Sequence, residues 1–179
     1  MAEVVTDLEL IKRLAQDHED EDIDFRTYLK GYLSWSDRRL DKLVREIAEQ
    51  VTEAIDCTSC GNCCRLMAIG VTDPDVSRLA RRLGMTTKDF ETRYVTVNNP
   101  KEKIITLSPC PFLERNRCRV YDDRPRDCRE FPHLDKSGFR SRTLGVLGEL
   151  DICPVVYNTW ELLKTHFDFK HRRYGRQRR

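Results

Sequence analysis

Apolar residues recur at helical spacing in several separate stretches of the chain. Leu8, Ile11 and Leu14 open the first, which predicts a short helix. A loosely ordered link is expected after it, running through the acidic residues Glu19-Asp20-Glu21-Asp22 to the aromatic group Phe25, Tyr28, Tyr32 and Trp35. Aromatics at this spacing point to a core rather than to base stacking. Ser36 suits an N-cap, and Leu40, Leu43, Val44, Ile47, Val51 and Ile55 follow at intervals of three and four. That stretch predicts one long helix running almost into Cys57. Thr72-Asp73-Pro74 reads as a second helix start, with Val76, Leu79, Ala80 and Leu83 on its apolar face and Gly84 as its stop. A shorter helix is expected from Thr86 or Thr87 through Phe90 to Tyr94.

The helical period then lapses. Lys103-Ile104-Ile105-Thr106-Leu107 is β-prone, and Arg119-Val120-Tyr121 is expected to return beside it across a turn containing Asn116, giving a small hairpin. Helical spacing resumes after Cys153-Pro154, where Val155, Val156, Trp160, Leu163 and Phe167 can share one face. The fold class this pattern predicts is α-rich α+β.

With 179 residues, 39% of them hydrophobic and 35% charged, the chain suits one principal domain with a small, reinforced core. No window is apolar for long enough to span a bilayer, and the acidic start Met1-Ala2-Glu3-Val4-Val5-Thr6-Asp7 is unlike a secretory signal. The expectation is a cytoplasmic protein with no membrane partner. Net charge divides sharply: residues 1–56 hold 15 acidic and 8 basic side chains, and the remainder holds 15 acidic and 24 basic. Three segments are expected on this basis: an acidic helical arm (1–56), a cysteine-cluster metal-binding domain (57–169) and a basic tail (170–179). The tail carries six fixed positive charges around Tyr174, a composition suited to nucleic acid or another acidic partner.

Eight cysteines give the chain its chemistry: Cys57, Cys60, Cys63, Cys64, Cys110, Cys118, Cys128 and Cys153. In a reducing compartment such a number favours metal thiolates over disulfides. Two thiolates separated by two residues can converge on one ion, and Gly61-Asn62 suits the turn between Cys60 and Cys63. Two four-sulfur sites are arithmetically possible, and the adjacent Cys63 and Cys64 are expected to point in different directions and serve separate sites. Paired Cys-x2-Cys units serve zinc, whereas three cysteines at two-residue gaps with a remote Cys-Pro serve iron-sulfur clusters, and here Cys110-Pro111 and Cys153-Pro154 both supply that dipeptide. Zinc, iron and an iron-sulfur cluster all stay open as cofactors. The Cys-x3-Cys-x2-Cys spacing of radical enzymes is absent.

Taken with Cys110-Pro111-Phe112-Leu113, Cys118-Arg119-Val120-Tyr121 and Arg124-Pro125-Arg126-Asp127-Cys128-Arg129-Glu130-Phe131-Pro132, the cluster resembles the YkgJ-like cysteine-cluster family over about Cys57 to Cys153. The resemblance implies zinc or iron chelation with all eight cysteines as ligands, and assigns no catalytic residue. Flagellin lysine N-methylases are similar in the same cluster, which raises S-adenosylmethionine-linked methyl transfer or iron-sulfur redox chemistry as an alternative. No glycine-rich nucleotide loop accompanies it.

Arg124, Arg126 and Arg129 are placed to favour the Cys128 thiolate, or else to pair with Asp122, Asp123, Asp127 and Glu130 and hold an irregular loop. Pro125 and Pro132 favour a rigid loop over a helix. His133 is a further possible metal ligand, whereas His18, His166 and His171 read as solvated surface residues.

Overall fold

A computed structural model describes residues 4–99 and 102–171, so the basic tail beyond His171 lies outside the described residues. The chain divides into two compact units: a helical unit formed by Met1–Ile55 with Leu134–Arg179, and a cysteine unit, Asp56–His133. Among the described residues no helix is long and apolar enough to cross a membrane.

The helical unit contains α1 (Leu8–Asp17), α2 (Glu19–Thr27), a π-helical turn (Tyr28–Tyr32), α3 (Asp37–Ala54), α9 (Phe139–Leu147) and α10 (Pro154–His166). The intervening helices α4 to α8 belong to the cysteine unit. Ser36 caps α3 as the sequence predicts, accepting from the Arg39 amide, and Pro154 opens α10. Ile11, Phe25, Leu29, Leu40, Val44, Phe139, Val156, Trp160 and Leu163 are buried together, with the Trp160 and Phe25 rings edge to face at 5.0 Å. Tyr28 joins this aromatic group, but Tyr32 stays exposed.

The acidic run is helix α2 and not a link. Its anchor is Asp22, only 3% exposed, which accepts hydrogen bonds from the Trp160 Nε1 and Lys164 Nζ at 2.8 and 2.9 Å. Glu21 and Glu161 also contact the Lys164 ammonium. Burial works against the charged form of Lys164, but these three carboxylates overcome it and hold its pKa above the ordinary value. Asp41 is a second polar anchor: its carboxylate accepts from the Gly138 and Phe139 amides, each at 2.9 Å, and so caps α9. Arg140 then satisfies the carbonyls of Leu29, Leu33 and Trp35 where the π-helical turn ends.

In the cysteine unit, α4 (Cys57–Cys60) and α5 (Asn62–Leu66) carry the opening motif, followed by β1 (Ile69–Val71), α6 (Asp73–Arg82), α7 (Thr87–Tyr94), β2 (Thr96–Asn99) and β3 (Glu102–Ile105). The predicted starts hold at both α6 and α7, with Thr72 and Thr86 as caps. The hairpin differs from expectation. Strand β3 lies antiparallel between β1 and β2, and a separate two-stranded hairpin joins β4 (Leu113–Glu114) to β5 (Arg117–Cys118). Asn116 does sit in that turn, but Tyr121 begins a 3-10 turn (Tyr121–Asp123) instead of a strand. Between the two prolines lies a short helix, α8 (Arg126–Glu130), where a loop is expected: Pro125 occupies its N-cap position, which needs no amide, and Pro132 follows its end. The core comprises Ile69, Val71, Val76, Leu79, Phe90, Tyr94, Ile105, Phe112 and Val120.

Lys164→Met leaves three carboxylates without their shared cation, so a loss of about 3–5 kcal/mol in urea unfolding is expected. A midpoint equal to that of the wild type would mean that the network contributes nothing.

Candidate metal centre

The opening motif is shaped by one glycine. Asp56 caps α4, accepting from the Thr58 amide at 2.9 Å, and Gly61 reverses the chain between Cys60 and Cys63 at φ +59°, a left-handed conformation that L side chains rarely adopt. A Cβ on Gly61 would also come within 3.3 Å of the Asn116 carbonyl oxygen and 3.5 Å of Leu113 Cδ1. The hairpin turn therefore lies directly against the cysteine turn. Arg65 secures this contact, donating to the Cys60 carbonyl at 2.9 Å and to the Asn116 side-chain oxygen. The Cys110 amide donates to the Cys64 carbonyl at 2.7 Å, which ties a third stretch of chain to the motif.

Cys128 is positioned through a buried carboxylate. Asp75, 2% exposed, accepts from the Thr72 amide and hydroxyl, from Arg78 and from the Arg126 amide at 3.0, 2.7, 2.6 and 3.2 Å. Burial alone would raise its pKa, but these bonds outweigh burial and hold it below the usual value. Arg78 also donates to the carbonyls of Asp123 and Arg124. One ion pair thus fixes the strand-like entry to α8, the helix that carries Cys128. On the other side Gly70 leaves the space that the Asp127 carboxylate occupies.

Cys110 is part of the apolar core, and Cys64, Cys118 and Cys128 pack against it. Their thiols also sense one another. Burial, followed by the charges of Cys64, Cys110 and Cys118, pushes the Cys128 thiol up to about 12. Burial is likewise the main cause that raises Cys110 and Cys118, with Cys64 adding to both. Cys64 moves the other way, down to about 7, because the Cys63 thiol hydrogen-bonds to it and the guanidinium groups of Arg65 and Arg124 favour its charge against burial. Cys63 therefore lies within hydrogen-bond reach of Cys64. Cys57 is exposed, and its thiol is raised by desolvation and by neighbouring Cys60.

Among the described residues no three or more side chains of His, Cys, Asp and Glu are drawn together tightly enough to hold an ion as they stand. No disulfide joins any pair of the eight cysteines. A cation would offset the mutual repulsion of neighbouring thiolates. The donor chemistry fits a thiophilic ion: sulfur ligands gathered in apolar surroundings with cationic neighbours.

Seven of the predicted ligands, Cys57, Cys60, Cys63, Cys64, Cys110, Cys118 and Cys128, lie in the cysteine unit. Cys153 is buried in the helical unit as the N-cap residue of α10. His133 has a left-handed φ of 60° and is half-buried at the end of the cysteine unit. Of the three arginines near Cys128, Arg126 pairs with Glu130 and Arg129 donates to the Arg124 carbonyl. Arg124 favours the thiolates of Cys57, Cys64 and Cys118, whereas the leading influences on Cys128 are burial and its neighbouring thiols. Arg124 is held by stacking over Tyr121 at 3.7 Å. Asp75 and Arg78 escaped the sequence reading. The Thr72-x2-Asp75 capping box was a legible signal for the first of them, but not for its second task at Arg126.

A family model named CxxCxxCC and described as "Putative zinc- or iron-chelating domain" matches residues 56–146, a span that starts with the cysteine unit and stops short of Cys153. Comparison with curated proteins and with solved structures gave no match. Since the matched span covers half of the chain and includes the whole opening motif, the chain belongs to the CxxCxxCC family.

Proposed function

We propose that the cysteine unit chelates one zinc or iron ion through the thiolates of Cys64, Cys110, Cys118 and Cys128. The observation that carries this reading is the shared electrostatic neighbourhood of these four thiols on one core surface. Four sulfur donors are the complement of a tetrahedral site for either metal. Bound there, the metal supplies a cross-link between segments far apart in sequence. Arg124 and Arg65 offset the excess negative charge of four thiolates, and Cys63 holds Cys64 as the most acidic donor, the one from which loading starts. Cys57 and Cys60, paired on the exposed α4, form an outer group through which metal enters or leaves. Cys153 is not needed for this site.

Elemental analysis after anaerobic purification tests the site directly. One equivalent of zinc or iron per chain is expected, retained in Cys57→Ser and lost in Cys110→Ser and Cys128→Ser along with thermal stability. Stoichiometric inorganic sulfide would replace the mononuclear site by an iron-sulfur cluster. Arg124→Gln should weaken metal affinity by about 10–100-fold while leaving stoichiometry at saturation unchanged; an unaltered affinity in a chelator competition would remove Arg124 from the site.

Stability should depend on pH differently in the two forms. Without metal, Cys128 keeps its proton to about 12, whereas an unfolded thiol releases it near 9.0. The folded state then binds more protons between those values, so stability of the metal-free protein falls as pH rises through that window. Metal binding displaces the thiol protons, so the stability of the loaded protein rises with pH up to about 9.0, where the unfolded thiols ionise, and is level above it. Thermal melts of both forms across this range provide the check; parallel curves would contradict buried thiols as the ligands.

A further inference from the structure

The β4–β5 hairpin presents two chemically different faces. Leu113 and Cys118, directly paired across the strands, pack against the core. Glu114, Arg115, Arg117 and Arg119 instead line an open concavity of about 380 Å³. The three arginines are exposed, and among the described residues their guanidinium groups have no hydrogen-bond or ion-pair partner. Elsewhere in the unit, Arg78, Arg82 and Arg126 are each paired with an acid. The platform beneath the three free groups is fixed by the Arg65–Asn116 bond and by the close approach of Gly61 to the turn. The backbone that carries the arginines is ordered before a ligand arrives, so only their side chains lose freedom on binding.

Guanidinium forks match the oxygens of a phosphate in paired hydrogen bonds. Glu114 excludes a purely anionic ligand as the best fit, because one carboxylate faces the same space and needs a donor. We propose that this outer face binds a small phosphate ester, the arginines holding phosphate oxygens and Glu114 accepting from a hydroxyl or amino group of the same molecule. A nucleoside diphosphate has this combination of groups. The proposal does not depend on the metal site: Cys118 faces the core while the arginines on either side of it face the ligand.

Calorimetric titration of the full-length, metal-loaded protein with ADP and with pyrophosphate at low salt is the test. Saturable ADP binding is expected. In the Arg117→Ala/Arg119→Ala variant it should weaken about tenfold or more, with metal content and melting temperature unchanged because both side chains are exposed. Glu114→Gln should weaken ADP binding and tighten pyrophosphate binding, since a repulsive charge is removed. No saturable ADP binding up to about 1 mM would overturn the proposal. So would equal affinity in the double arginine variant, or a preference for single-stranded RNA over ADP that the same variant abolishes, which would make the surface a nucleic-acid platform.

Discussion

Thiols buried next to one another cannot all ionise without a cation, and this constraint governs the cysteine unit. Cys110 lies within the core and Cys118 and Cys128 lie against it, so burial raises all three thiols, Cys128 to about 12. The surrounding structure lowers that barrier at one point only. Cys64 receives a hydrogen bond from Cys63 and the fields of Arg65 and Arg124, and becomes the thiol most ready to lose its proton. An arrangement of one acidic and three reluctant thiols is poorly suited to general nucleophilic chemistry at the reluctant positions. It suits stepwise capture of a metal ion, in which each thiolate–metal bond makes the next deprotonation easier.

The rest of the unit aligns those sulfurs without using them as glue. Gly61 reverses the chain between two short helices, Asn116 receives Arg65 at the hairpin turn, and Asp75 with Arg78 sets the start of α8. Arg65 and Asn116 join distant segments through their side chains, whereas Asp75 and Arg78 do so through the Arg126 amide and the Asp123 and Arg124 carbonyls. The ligand positions are therefore approximately assembled by polar anchors before any metal arrives. This limits the conformational entropy that binding must overcome.

Local signals in the sequence were reliable where one residue had one task. Ser36, Thr72 and Thr86 cap the helices they announce, and Pro154 opens α10. Legibility failed where a tertiary partner changed a residue's role. The run Glu19–Asp22 is too acidic to predict a packed helix, yet its Glu21 and Asp22 pair with Lys164, far along the chain. Residues 103–105 do form a strand, but their partners are β1 and β2, one of them N-terminal to α6; neighbour order in a sheet is a long-range property that alternation cannot encode. The cysteine motif revealed its chemistry through spacing alone. Its electrostatics stayed hidden, because which of three arginines reaches a thiol depends on the cation–π contact at Tyr121 and on the route of the Arg124–Arg126 backbone.

The difference between the two units follows from their interiors. The helical unit buries a continuous aromatic and aliphatic core, from Ile11 and Phe25 to Trp160 and Leu163, and its single buried lysine is fully compensated. The cysteine unit spans only Asp56–His133, and beside α6, α7 and the three-stranded sheet its cysteine-bearing pieces are a two-residue strand, helices of four and five residues, and turns. A single core of that size supplies only about 3–5 kcal/mol, and domains below roughly 70–80 residues generally need a staple. The four cysteines of the proposed site come from α5, the segment before the hairpin, β5 and α8, four pieces distant in sequence. Chelation at the proposed site would then add its binding free energy to a unit whose segments the polar anchors already bring near one another.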